Sequence, residues 1–473
     1  MLAAILIIIL AFGNGIMFGL LQSKLAYAVL FFGLFTIFNN LRVVRGRMNA
    51  TYMHRVTLRS WLFLIMWQLV SLGLIVLYEI VGFNRIQVLQ VISIGSAFAC
   101  VFLLWSAQRH IAAVQRPDST KHFTDHELPT ITVAIPARNE TEDLEACLSS
   151  LIDSNYPKLE ILVLDDCSQS RKTPEIIRQF AHDGVRFIAG TVAPKTWVAK
   201  NHAYQQLREE ASGDYILFCG VDVRFSTESI RAIITEMLVR DKRMISIMPM
   251  NTLPKKSAVE SYILQPIRYA WELALPRKRI SPSVLSTCWV VKSSFLEEIG
   301  GFSAVARTIS PEVYVARKAV ADKDGYSFMA SSPLMGLVCN KQVKEQRATA
   351  IRTRYPQLHR RPESLSLQIV AEYFVLLSPL ILLTYGLIIS NYLIIITAAI
   401  GYCAGTLFFF SITRITYRTR IWRSLVLYPL AIVYDMWLQV YSMWQYEMND
   451  VIWKDRNVCV PVMHVEPHLP PLH

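Results

Sequence analysis

Charge is scarce in this chain. Asp, Glu, Lys and Arg make up 18% of 473 residues, against 53% apolar, where soluble domains carry about a quarter charged. That deficit argues against a chain that is soluble throughout. Cysteine is present but unpatterned: the eight at 100, 147, 167, 219, 288, 339, 403 and 459 include no Cys-x-x-Cys pair and no nearby His at metal spacing. They read as reduced, mostly packing thiols. Internal repeats and low-complexity stretches are missing as well. The net charge of +12 comes without any aromatic-basic nucleic-acid motif, so no nucleic-acid partner is expected, and anionic lipid headgroups or a phosphorylated ligand explain the charge better.

What is there is long and apolar. Seven stretches approach the roughly 20 residues that span a bilayer: Leu2–Leu21, Leu25–Phe38, Trp61–Val81, Val88–Trp105, Leu367–Ile389, Tyr392–Phe410 and Leu425–Tyr446. The first starts at Met1 with no basic n-region and no small-x-small cleavage site, and is expected to be a retained anchor. Arg42, Arg45, Arg47, Arg55 and Arg59 join the second and third stretches, which predicts a cytoplasmic loop. Four N-terminal spans return the chain to that side at Arg109, and Arg414, Arg418, Arg420 and Arg423 fit the same frame. The sequon Asn49-Ala-Thr51 falls in the cytoplasmic loop and reads as accidental. The seventh stretch is interrupted by Asp435 and Gln439 and is read equally as a span or as an interfacial or re-entrant helix. The expected organisation is a membrane region over 1–108, a linker over 109–127, an α/β domain over 128–358, a second membrane region over 359–448 and a cytoplasmic tail over 449–473.

Between the apolar regions, strand and helix patterns alternate. Thr130–Ile135, Leu159–Leu164, Val185–Ile188 and Tyr215–Phe218 are short buried-strand runs. Glu142–Ile152, Thr173–His182 and Val198–Glu210 have helical period. Strands separated by helices of this length imply a mainly parallel sheet with right-handed crossovers. Its ligands gather beyond the carboxyl ends of the strands. Glu140, Asp166 and Asp222 each follow a predicted strand end, so one crevice is expected to collect all three.

Five motifs occur in order: Ile135-Pro-Ala-Arg-Asn-Glu140, Leu164-Asp-Asp-Cys-Ser168, Trp197-Val-Ala-Lys200, Cys219-Gly-Val-Asp-Val-Arg-Phe225 and Pro311-Glu-Val-Tyr-Val-Ala-Arg317. The set resembles membrane-bound family 2 glycosyltransferases, and within them the carotenoid- and hopanoid-associated and ceramide-glucosyltransferase-like lipid-modifying members. The resemblance implies a GT-A-like α/β domain with a Rossmann-like, mostly parallel sheet embedded between transmembrane helices. It also implies inverting, non-processive transfer of a sugar from a nucleotide donor, a UDP-sugar, to a lipid or isoprenoid-type acceptor at the cytoplasmic membrane face.

The resemblance assigns roles residue by residue. Pro136, Asn139 and Glu140 contact the nucleotide; the alternative is that Asn139 or Thr141 caps the following helix. Asp165 and Asp166 take the base, with Asp166 favoured for accepting a uracil N–H and Asp165 for orienting the turn. Lys200 holds the diphosphate, because a cation beside a helix's positive end suits the ligand and not the helix. His202 reads as a packing or hydrogen-bonding residue rather than a metal ligand. Asp222 is what remains of the family's Asp-x-Asp, whose first acid is Gly220 here, and is the metal ligand for a divalent cation, Mg2+ or Mn2+. Glu312 aligns with the catalytic base, although Pro311 replaces the acid before it; Ser310-Pro-Glu also has the form of a capped helix start. Arg347, Trp453 and Arg456 are weaker candidates for the acceptor or diphosphate, the last two through a tail resembling Trp-Lys-Gly-Arg with Asp455 in place of Gly. The family's Gln-x-x-Arg-Trp has no Trp here, which argues against polymer synthesis. Two other functions stay open: a degenerate transferase that binds sugar nucleotide or lipid without turnover, and a transporter, which the few paired charges within the spans disfavour.

Overall fold

The computed structural model describes residues 85–115, 119–252, 259–275, 282–322, 325–358, 360–417, 422–448 and 450–459. The three N-terminal apolar stretches and the arginine loop from Arg42 to Arg59 lie outside the described residues. The chain divides into two units. One comprises Ser106–Thr349, Ser411–Arg423 and Asn449–His473, so that the expected linker and tail group with the α/β domain. The other holds Ala350–Phe410 and Ser424–Met448 together with the chain up to Trp105. The first described helix, α1 (Arg85–Val114), is long and apolar enough to cross a membrane.

The α/β unit is built on β1 (Ile131–Ala137), β2 (Leu159–Asp165), β3 (Val185–Ala189), β4 (Tyr215–Cys219), β6 (Met244–Met248), β8 (Cys288–Lys292) and β9 (Tyr326–Ala330). They form one seven-stranded sheet in the order β3-β2-β1-β4-β8-β6-β9. Every pairing is parallel except those of β8, which runs antiparallel to β4 and β6. Three short strands, β5 (Val223–Arg224), β7 (Met250–Asn251) and β10 (Val338–Cys339), form a second sheet. The helices of the unit are α2 (Glu142–Ile152), α3 (Lys172–Gln179), α4 (Ala199–Glu210), α5 (Ser229–Val239), α6 (Ser261–Leu273), α7 (Ser293–Glu298) and α8 (Pro311–Ala321), with α9 (Val343–Gln357) beginning in it.

The central strands are continuous apolar runs because both faces of the sheet are covered. Alternation sorts their residues. Ile131, Val133, Ile135, Ile161, Val163 and Leu217 share one core with Leu144, Leu148, Ile230 and Ile234 of α2 and α5. The intervening Ala134, Leu162, Leu164, Ile216 and Phe218 share the other with Tyr204, Leu207, Val315 and Ala319 of α4 and α8. Each large apolar side chain fully buried there contributes about 1.5–3 kcal/mol. Pro136, which cannot donate to a ladder, lies beyond the last β1–β4 pair, Ala134 with Phe218. The helix expected over Thr173–His182 ends as α-helix at Gln179 and tightens into a 3-10 turn, Phe180–Asp183, before Gly184 at φ 88°. A left-handed residue closes that end, as glycine does most readily.

The helical unit contains α10 (Pro362–Glu372), a π-helical turn over Tyr373–Leu377, α11 (Ser378–Ile388), α12 (Tyr392–Thr416) and α13 (Arg423–Glu447), although Ser411–Thr416 at the end of α12 group with the α/β unit. With α1 they supply four candidate membrane-crossing helices among the described residues. Asp435 and Gln439 do not break α13. Both are buried, Asp435 in an ion pair with Arg354 at 3.0 Å and Gln439 donating to both carboxylate oxygens of Glu372 at 2.8 Å. Arg354 is 1% exposed, a buried counter-ion. At the π-helical turn the Tyr428 hydroxyl donates to the Leu376 carbonyl at 2.7 Å, satisfying a backbone group left outside the α-helical ladder.

Candidate active site

The acidic motifs converge because parallel strands end on one edge of the sheet. Glu140 follows β1, Asp166 follows β2 and Asp222 follows β4. The first two turns interlock. Asn139 takes a left-handed φ of 50° and Cys167 one of 51°. The Asn139 N–H donates to Ser168 Oγ at 2.9 Å, and Asn139 Oδ1 accepts from the Gln169 N–H at 2.9 Å. Asn139 therefore ties the β1 turn to the β2 turn and does not cap α2. Thr141 holds the N-cap position without a side-chain cap. Asp165 Oδ1 accepts from the Ser168 N–H at 3.3 Å, the turn-orienting arrangement. Asp166 is buried, and Arg138 fixes the turn beneath it by donating to the Asp166 carbonyl at 2.8 Å and to the Cys167 carbonyl.

Neither Asp166 nor Glu140 is left alone. Arg456 Nη1 lies 2.6 Å from Asp166 Oδ2, and Lys454 Nζ lies 3.0 Å from Glu140 Oε1. Burial pushes both acids above their ordinary pKa, and Arg456 and Lys454 respectively oppose that push. Asp222 differs in outcome: burial works against its charge, but Lys341, 3.3 Å from Oδ2, prevails and holds its pKa below the usual value. Pairing of β10 with β5 brings Lys341 there, with the Asn340 N–H donating to the Asp222 carbonyl at 2.8 Å. A Cβ at Gly220 would meet Asp222 Oδ1 at 2.5 Å, so the lost first acid of the Asp-x-Asp pattern leaves space that the remaining carboxylate occupies.

Among the described residues, no three His, Cys, Asp or Glu come together to hold a metal. The ionised Asp222 is nonetheless a hard oxygen donor. It could supply one oxygen ligand to a divalent cation, in competition with Lys341.

A second cluster joins α4 to α8. Lys200 is the second residue of α4, Glu312 the second of α8, and Nζ lies 3.6 Å from Oε2. Asn201 holds the two together: fully buried, its amide donates to the carbonyls of Val305, Ala306 and Thr308 at 2.8, 3.1 and 2.7 Å. Glu312 is buried, and its Oε2 has no hydrogen-bond partner among the described residues. Pro311 stands at the helix start as expected, but Ser310 makes no side-chain cap. His202 packs edge-on against Trp197, with Nδ1 3.0 Å from Gln206 Nε2. Arg347 lies on Glu260, bonded at 2.6 Å, and Trp453 is half-buried in the tail. Sequence reasoning missed Arg138, Asn201, Lys341 and Lys454. Arg138 and Asn201 lay within or beside recognised motifs, whereas the pairing of Lys341 with Asp222, more than a hundred residues earlier, had no local signal.

The mostly parallel α/β sheet with acids at one edge is a GT-A-like fold. Residues 132–300 match the family described as Glycosyl transferase family 2. It is 34% identical over 99 residues to glycosyltransferase AglE of Haloferax volcanii, covering 20% of this chain and 31% of that one. It is 31% identical over 128 residues to a 4,4'-diaponeurosporenoate glycosyltransferase of Staphylococcus haemolyticus, covering 27% and 33%. The matches thus span about a third of these curated relatives. The mannosyltransferase PcManGT from Pyrobaculum calidifontis, solved with GDP-Man and Mn2+, is similar at TM-score 0.46 and 17% identity over 78% of this chain and 100% of that one.

Proposed function

We propose that the protein transfers one sugar, with inversion, from a UDP-sugar to a hydroxyl or carboxyl of a lipid or isoprenoid-type acceptor. The observation that carries this reading is Glu312: a buried carboxylate at a helix start, with one oxygen lacking a hydrogen bond and a lysine 3.6 Å away. In the reaction, Glu312 takes the proton of a hydroxyl or carboxylic acid acceptor as the acceptor oxygen attacks the anomeric carbon. The glycosidic bond to the diphosphate breaks, and Lys200 meets the charge that develops on it. Asp166 and Glu140 hold the nucleotide. A divalent cation, held by Asp222, would neutralise the departing diphosphate. A relative named for 4,4'-diaponeurosporenoate supports an apolar acid as one acceptor type. The test is release of UDP from a panel of UDP-sugars by the purified protein in detergent with lipid extract. Binding without turnover across a broad donor and acceptor panel would instead establish the degenerate reading, which Gly220 and Pro311 favour.

Two further results are expected. Asp166→Ala should weaken UDP binding by about 1–3 kcal/mol, the scale of a charged hydrogen bond, in a protein that still folds; unchanged affinity by calorimetry removes Asp166 from the base site. Asp222→Asn should weaken UDP binding mainly when Mn2+ is present, because an amide is a poorer partner for a hard cation. Equal affinities in Mn2+ and in chelator, for wild type and variant alike, would count against a metal at Asp222.

We further propose that the α/β unit faces the cytoplasm. The arginine-rich loops support this orientation. Cysteines introduced at Arg47 and Arg418 should escape an impermeant reagent applied to intact cells, and ready labelling of either would reverse the orientation.

A further inference from the structure

The last described segment forms a hairpin, β11 (Ile452–Trp453) and β12 (Arg456–Asn457), turning through Lys454 and Asp455 at φ 49° and 62°. Two successive left-handed residues make the tight turn whose twist matches paired strands. Its tip meets the β1 and β2 turns at several points. Arg456 bonds Asp166 Oδ2 at 2.6 Å and the Asp166 carbonyl at 3.1 Å; Lys454 pairs with Glu140 at 3.0 Å and with Glu345 at 3.7 Å. In return, Arg138 Nε donates to the Lys454 carbonyl at 2.9 Å and Asn139 Nδ2 to Asp455 Oδ2 at 3.1 Å. Every residue that the sequence assigned to the nucleotide in these turns, apart from Pro136 and Asp165, is thus touched by the hairpin.

We propose that this C-terminal hairpin is a wall of the nucleotide end of the donor site, in which Arg456 is a positioning residue that aims Asp166 at the base and Lys454 does the same for Glu140. This rests on the donor-binding function proposed above. It moves Arg456 from the acceptor or diphosphate to the base end of the site. A carboxylate offers about four lone-pair positions, so the guanidinium on Oδ2 leaves capacity for a base N–H. Charge points the same way. Glu140, Asp166, Asp222 and Glu345 would repel a nucleoside diphosphate, and the hairpin sets two cations among them against the single anion of Asp455. The backbone bonds from Arg138 and Arg456 fix the tip in register, which side-chain ion pairs alone would not do.

The proposal also has a pH signature. Asp166 faces Arg138 from the β1 turn, His202 from α4 and Arg456 from the hairpin, and burial raises its pKa. An acid so raised loses its charge as pH falls through the raised value. Removing Arg456 raises that value further, so nucleotide binding should fail at a higher pH than in wild type.

The experiment is calorimetry of UDP against the full chain in detergent across pH. Arg456→Ala should weaken UDP binding about tenfold, the range of a lost charge-assisted bond, and shift upward the pH at which binding is lost; Arg456→Lys should recover part of both. Lys454→Met should lower affinity as well and serves if Arg456→Ala does not fold. Affinity equal to wild type or tighter in these variants, with an unmoved pH profile, would overturn the proposal and make the hairpin either neutral packing or a plug. A wild-type chain that binds no UDP at any pH would overturn the donor-binding reading itself, and this proposal with it.

Discussion

Glu312→Gln should reduce turnover by about 100-fold or more while leaving UDP-sugar affinity nearly unchanged. The substitution keeps the size of the side chain and the helix start at Pro311, so α8 should form as before. It removes the one property the proposed chemistry of a hydroxyl acceptor requires, a lone pair basic enough to take a proton. Donor affinity should hold because the contacts proposed for the base lie on the β1 and β2 turns. Lys200 loses an anionic neighbour and remains available to the diphosphate. The decisive measurement is single-turnover transfer to a hydroxyl acceptor, with donor affinity measured separately. Wild-type turnover in the variant would exclude Glu312 as the base, and a parallel loss of donor affinity would place it in binding.

The second large effect lies in the helical unit. Asp435→Ala should destabilise the protein by about 3 kcal/mol, because it removes the carboxylate paired with a buried arginine, which retains Glu372 as a neighbouring acid. Arg354 is 1% exposed and Asp435 is 5% exposed, so water cannot replace the lost partner without opening the packing. Replacing both, Arg354→Met with Asp435→Leu, should recover most of the loss, since apolar side chains of similar volume avoid the desolvation cost. Thermal unfolding in detergent distinguishes the outcomes. Equal stability of Asp435→Ala and wild type would mean that the pair contributes little, and a double variant no better than the single one would place the effect in packing rather than charge.

Local signals were read well where they were physical and short-range. The runs Leu159–Leu164 and Tyr215–Phe218 are strands because apolar residues buried on two faces leave no polar alternation, and Glu142–Ile152 is a helix over those same residues. The alternative of a helix cap did not form: Asn139, Thr141 and Ser310 all have capping chemistry, yet none makes a side-chain cap. Asn139 is diverted to the neighbouring turn, where its left-handed backbone and amide close a gap between strands. β8 was not foreseen either, because its antiparallel insertion between β4 and β6 depends on pairing across the sheet.

The sequence by itself determined the alternation of strands and helices, the positions of Glu140, Asp166 and Asp222 beyond strand ends, and the apolar character of the flanking helices. Periodicity and composition act within a few residues, and one sequence displays them fully. Tertiary structure alone decided which cation neutralises which acid: Lys341 on Asp222, Arg456 on Asp166, Lys454 on Glu140 and Arg354 on Asp435. A buried charge must find its counter-ion in space, and strand order and chain return set that partner without regard to distance along the chain.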